Sequence, residues 1–230
     1  MQKSFPARWV AYGLHNFRPV QGTYGEFDLG SCPEIAPITD DFAWITSPPD
    51  ELDSAGMVVE HQTSDEFAST LEVLRSSAPS GVPPSFWQFL SSDLLRGCPL
   101  SPTDCHWELS PDWIVLPSLP GDRFARFMSD SQYCYSWYLR VAADATVSVV
   151  ACGSLGTEEL EFESPLIEDA PYSEQLAVEQ HVLDSLVTVA HSFHEFIYRL
   201  WIEGLIWFRL YRRLPLSSFE QAYAEQTSKN

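Results

Sequence analysis

The run SFHEFIYRLWIEGLIWFRLY, from Ser192 to Tyr211, constrains the fold more than any other part of the chain. Side chains this apolar and aromatic must leave water, either in a bilayer or in a protein core. A bilayer span needs about 20 apolar residues, and His194, Glu195, Arg199 and Glu203 interrupt this one. The run is therefore core. Ser192 and Glu195 have the S-x-x-E spacing of a capping box, and Phe193, Phe196, Ile197, Leu200 and Trp201 recur at helical spacing. Arg199 and Glu203 stand four apart on another face, where they are expected to pair. Gly204 reads as a C-cap. That predicts a helix of about 11–12 residues, followed by a strand over Leu205–Tyr211 that Pro215 stops. Ser217 and Glu220 repeat the capping-box spacing and open a short last helix.

The rest of the chain must supply what covers this core. It has 230 residues, 45% hydrophobic and 13% aromatic, a composition that folds. The expected organisation is a single domain over 1–230, with a core at 80–223 and an N-terminal extension, 1–79, packed on it. Residues 1–30 mix aromatics with Gly13, Gly22 and Gly25, which suggests short strands and turns. Residues 31–60 and 97–122 read as loops. A helix is predicted from Asp65 to about Ser76, capped by Thr63 or Ser64, with Phe67, Leu71 and Leu74 inward. Pro83 and Pro84 open a second helix with an apolar stripe of Phe86, Phe89, Leu90 and Leu94. SQYCYSWYLRVAAD and ATVSVVAC read as an antiparallel hairpin around Asp144. EELEFESPL alternates like a strand with one acidic face. A helix is predicted from about Ser173 to Val189, with Leu176, Leu183, Leu186 and Val187 inward.

Charge narrows the function. The chain carries 32 acids and 13 Lys or Arg, a net charge of −19 and a pI near 4.4. Such a surface repels nucleic acid and anionic lipid and attracts a basic protein. Residues 31–80 hold ten acids and only Arg75 as a base, and residues 131–190 hold ten acids and only Arg140. The acidic run at 157–169 presents Glu158, Glu159, Glu161, Glu163, Glu168 and Asp169, the candidate partner-binding residues; the same run also reads as an ordinary solvated strand face. Asp40, Asp41, Asp50, Glu51 and Asp53 form a second candidate.

The signals for catalysis are weaker. His191, His194 and Glu195 read H-x-x-H-E, an order that matches neither metallohydrolase motif, so they are expected to be helix-entry residues. Cys98, Cys105, His106 and Glu108 lack standard zinc spacing and read as a loop with buried thiols. The five cysteines, Cys32, Cys98, Cys105, Cys134 and Cys152, contain no C-x-x-C pair and suggest a reduced, cytoplasmic protein. There is no G-x-S-x-G elbow, and GTYGEFDLG (22–30) is too acidic to cradle phosphate. No catalytic residue, metal or cofactor is assigned.

Four stretches together resemble the SUKH superfamily: VPPSFWQFL (82–90), its proline-led first helix; RFMSDSQYCYSWYLRV (126–141), its central hairpin; AHSFHEFIYRLWIEGLIWFRL (190–210), its signature C-terminal helix; and LPLSSFEQAY (214–223), its tail helix. Gly204 stands where an Asn is common in the family. The resemblance implies an α+β fold with a single antiparallel-rich sheet flanked by helices. It also implies a non-catalytic binding role, as an immunity protein that neutralises a cognate toxin of a bacterial polymorphic toxin system. The alternative is a regulatory adaptor that binds a host enzyme or scaffold, like the fungal relatives.

Overall fold

The computed structural model describes residues 3–35, 38–39, 41–47, 60–61, 64–132, 134–152 and 172–228. In chain order the elements are strands β1 (Arg8–Ala11), β2 (Gly25–Asp28) and β3 (Glu60–His61). Helices α1 (Ser64–Ser76), α2 (Pro84–Leu90) and α3 (Asp93–Arg96) follow. Then come β4 (His106–Trp107), β5 (Arg123–Ser129), β6 (Ser136–Val141) and β7 (Val147–Cys152). The chain continues through helix α4 (Tyr172–Ser185), strand β8 (Val187–Ala190), and helices α5 (Phe193–Tyr211) and α6 (Ser218–Thr227). The architecture is α+β. One sheet runs in the order β3-β4-β5-β6-β7-β8, antiparallel except for the β3–β4 pair, and β1 and β2 form a separate antiparallel hairpin.

The long strands are buried on both faces. Every residue of β6 is buried, and all of β5 except Arg123. This is why WYL in β6 reads as a continuous apolar run rather than as alternation. Trp137, Leu139, Val149 and Ala151 face a core built with α1, α2 and α5. Phe124, Tyr138, Val150 and Cys152 face the other way, against Phe5, Leu183 of α4 and Leu186 just after it. Phe193, the first residue of α5, anchors the larger core. Its ring meets Phe86, Phe89 and Phe127 edge-on at centroid distances of 5.0–5.6 Å, a favoured aromatic geometry.

Several expectations are met and others are corrected. The hairpin turns at Asp144, whose carboxylate accepts from the Thr146 amide. The helices at 64–76 and 84–90 start where the capping and proline signals put them. Leu94 is 71% exposed, because the chain breaks helix at Ser91–Ser92 and restarts in α3, which takes Leu94 out of the α2 stripe. The predicted helix to Val189 stops at Ser185. Val187–Ala190 is strand β8 instead, hydrogen-bonded to β7, where β-branched residues fit the sheet interior. The predicted strand EELEFESPL lies outside the described residues.

The largest correction concerns the aromatic run. It is one 19-residue helix, α5, and the strand expected over Leu205–Tyr211 is its second half. Gly204 is not a cap. A Cβ there would lie 2.5 Å from the Leu100 carbonyl oxygen, so glycine is required by the close approach of the Leu100 backbone, and the helix runs on past it. No described helix is long and apolar enough to cross a membrane.

Candidate functional site

Helix α5 carries the polar centre of the molecule. Glu203, 1% exposed, accepts from the Trp9 indole N–H, both terminal nitrogens of Arg18 and the Tyr223 hydroxyl. A carboxylate offers about four lone-pair positions, so Glu203 is saturated. The donors exceed it: the Tyr12 hydroxyl and the Arg18 Nε–H are buried with no acceptor among the described residues. Burial opposes the Arg18 charge, but Glu203 more than offsets this and holds the Arg18 pKa above its ordinary value. Burial, with Glu203 beside it, pushes the Tyr12 phenol well above its usual range, so both groups stay protonated.

One turn earlier on the same face, Arg199 donates to the Pro33 carbonyl at 3.0 Å and reaches the Tyr223 hydroxyl at 3.5 Å. Arg199 pairs with Glu195 at 3.1 Å, not with Glu203 as spacing predicted. Arg18, 185 residues away in sequence, takes Glu203 in a bidentate pair, which outweighs an i,i+4 contact. Glu195 also accepts from the His191 amide, while Ser192 caps the Glu195 amide. His194 stacks on Phe42 at 4.7 Å. His191, His194 and Glu195 are therefore helix-entry residues.

The Cys98–Glu108 stretch is also structural. Cys98 and Cys105 are buried free thiols, and burial raises the pKa of both. His106 lies 3.4 Å from Glu108, which pairs with Arg126 at 3.2 Å. No group of three or more His, Cys, Asp or Glu among the described residues is placed to hold a metal.

Next to the Glu203 cluster the surface carries a cleft of ≈ 400 Å³, walled by the loop from Tyr12 to Thr23, by Pro102 and Thr103, and by Trp207. His15, held at φ 50°, lies 5.6 Å from the Trp207 ring, and Trp207 stacks on Tyr211 at 5.0 Å with 14° between planes. This forms a ladder of three rings ending at Tyr211, which is 59% exposed. Neither the His15–Trp207 contact nor the Arg18–Glu203 pair is visible in local sequence, since both join the N-terminal loop to α5.

Glu158, Glu159, Glu161, Glu163, Glu168 and Asp169 lie outside the described residues, as do Asp40, Asp50, Glu51 and Asp53. Asp41 is exposed. Its carboxylate accepts from the Thr39 hydroxyl and the Ala43 amide, which hold it below its ordinary value.

Ionisable groups of both signs are buried, Glu108, Asp122, Asp130, Glu179, Glu203 and Glu220 among the acids. Five arginines, Arg18, Arg96, Arg126, Arg140 and Arg199, are buried. Each pairs with a carboxylate of the same chain: Glu203, Asp93, Glu108, Asp122 and Glu195. Four described arginines also lie over aromatic rings at 4.5–5.5 Å. Among the described residues, five of the 13 basic and six of the 32 acidic side chains are thus withdrawn from the surface. No family model, curated protein or solved structure matches the chain.

Proposed function

We propose that this protein is an immunity protein of a bacterial polymorphic toxin system, which binds and neutralises a basic toxin domain through a protein–protein interface. The observation that carries this reading is the excess of acidic over basic side chains. Net charge is −19, from 32 acids against 13 Lys or Arg. Burial withdraws five arginines and six carboxylates among the described residues, so the exterior keeps the acid excess of the sequence, which steers a basic protein toward it and speeds encounter at low salt. The stretches that resemble the SUKH superfamily and the α+β architecture support the same reading. The ladder of His15, Trp207 and Tyr211 adds the kind of aromatic anchor in which interface energy concentrates. The acidic run from Glu158 to Asp169 is the proposed steering surface.

The test is purification of the tagged protein from its native host at low and at high salt, with the bound proteins identified. The expected result is one stoichiometric partner with a basic C-terminal toxin domain, bound less tightly at high salt, whose toxicity is relieved when the two are co-expressed. Replacing Glu158, Glu159, Glu161 and Glu163 together by Gln should flatten the salt dependence. A housekeeping enzyme or scaffold as the partner, or an affinity indifferent to salt, would reject the proposal.

A further inference from the structure

Two side chains on one face of α5 hold four pieces of the chain. Glu203 takes Trp9 from β1, Arg18 from the loop after it and Tyr223 from α6. Arg199 takes the Pro33 carbonyl and the same Tyr223 hydroxyl. Arg18 also donates to the Tyr12 carbonyl, so the loop is tied to β1 through the guanidinium that binds Glu203. The two chain ends therefore share one buried carboxylate. When any one of these donors leaves, the buried carboxylate is less well compensated, and the docking of the others is weakened with it.

The geometry points to a conformational device: the N-terminal segment around β1–β2 and the tail helix α6 dock on α5 as one cooperative unit, latched at Glu203, and undock together while the β5–β6–β7 sheet stays folded. The sheet has its own reasons to persist. Its three central strands are paired along their full length and buried on both faces. The hairpin has only four residue pairs, and the N-terminal segment reaches the sheet at points: the Ala7–Thr188 bridge, the bond from the Thr188 amide to the Pro6 carbonyl, the Tyr24 hydroxyl on Asp130 with its ring against Trp137, the Tyr135 hydroxyl on Glu26 and Arg140 on the Lys3 carbonyl. Undocking has a visible consequence at the surface. The cleft lies between the Tyr12–Thr23 loop and Trp207 of α5, so it exists only while the unit is docked. The latch thus sets whether the cleft and the His15–Trp207 contact are present.

Native-state hydrogen exchange on the full chain, comparing wild type with Tyr223→Phe and Trp9→Phe, tests this. Each variant removes one donor to Glu203 from one chain end only. If the ends form one unit, Tyr223→Phe lowers protection in β1–β2 by the same factor as in α6, about tenfold for one buried hydrogen bond to a charged group, and Trp9→Phe lowers protection in α6 likewise. Protection in β5–β7 stays at the wild-type level in both. Loss confined to the end that carries the substitution would overturn the proposal, because the ends would then open separately. Equal loss in β5–β7 would also overturn it, because the ends would then open only with the whole molecule.

Discussion

At Gly204 a methyl group would meet the Leu100 carbonyl oxygen at 2.5 Å. In an exposed helix, alanine is favoured over glycine by about 1 kcal/mol. Here the sign reverses: Gly204→Ala should destabilise the protein by about 1–3 kcal/mol, the usual range for overpacking, read from the chemical-denaturation midpoint. Glu108 supplies a pH-dependent term. Burial raises its pKa, but His106, the Arg126 charge and Ser129 together hold it below the ordinary 4.5. A carboxylate with a depressed native pKa contributes stability that is present above its unfolded value and lost as pH falls through the native one. The contribution of Glu108 should therefore be complete at neutral pH, begin to fall near pH 4.5 and be gone once pH is below the native value. Glu108→Gln should be less stable than wild type at pH 7, and the difference should shrink when melting curves are repeated at falling pH. An unchanged difference at low pH would show that the loss is one of packing, not charge.

Among the elements, α6 shows how a helix start is written in sequence. Ser217 accepts from the Glu220 amide while the Glu220 side chain accepts from the Ser217 amide. Ser217→Ala should cost about 1 kcal/mol, seen as a lower thermal midpoint with an unchanged fold by circular dichroism. Such starts are legible because the cap and the groups it satisfies lie within four residues. Helix ends are less so. Glycine serves equally as a cap and as a point of close backbone approach, and only the position of Leu100 distinguishes the two at Gly204. Val187–Ala190 abuts a helix with no Gly or Pro between them, so the sequence offers no break where helix becomes strand. The Glu203 cluster is hidden for a different reason. Arg199 is Glu203's best partner by spacing, and nothing local indicates that Arg18 displaces it. The candidate acidic run is legible as charge, and its placement lies outside the described residues.

For the whole molecule, the same excess of acid that attracts a basic partner strains the folded state. Like charges at a net −19 repel more in the compact form than in the extended chain, and salt screens them. The thermal midpoint should rise as sodium chloride goes from roughly 10 mM, where the screening length is about 30 Å, to roughly 150 mM, where it is about 8 Å. A midpoint that falls instead would mean that the ion pairs outweigh the repulsion. The Glu203 cluster has a further consequence, for synthesis. Trp9 and Glu203 are separated by 194 positions. At about 5–20 residues per second, a ribosome leaves Trp9 and Arg18 without their carboxylate for roughly 10–40 s. During that interval the first strands are made but have nothing to close on. The nascent chain is most exposed to chaperones and proteases until α5 emerges, and a ribosome that stalls before codon 203 releases a product with its N-terminal arginine unmatched and its first hairpin undocked.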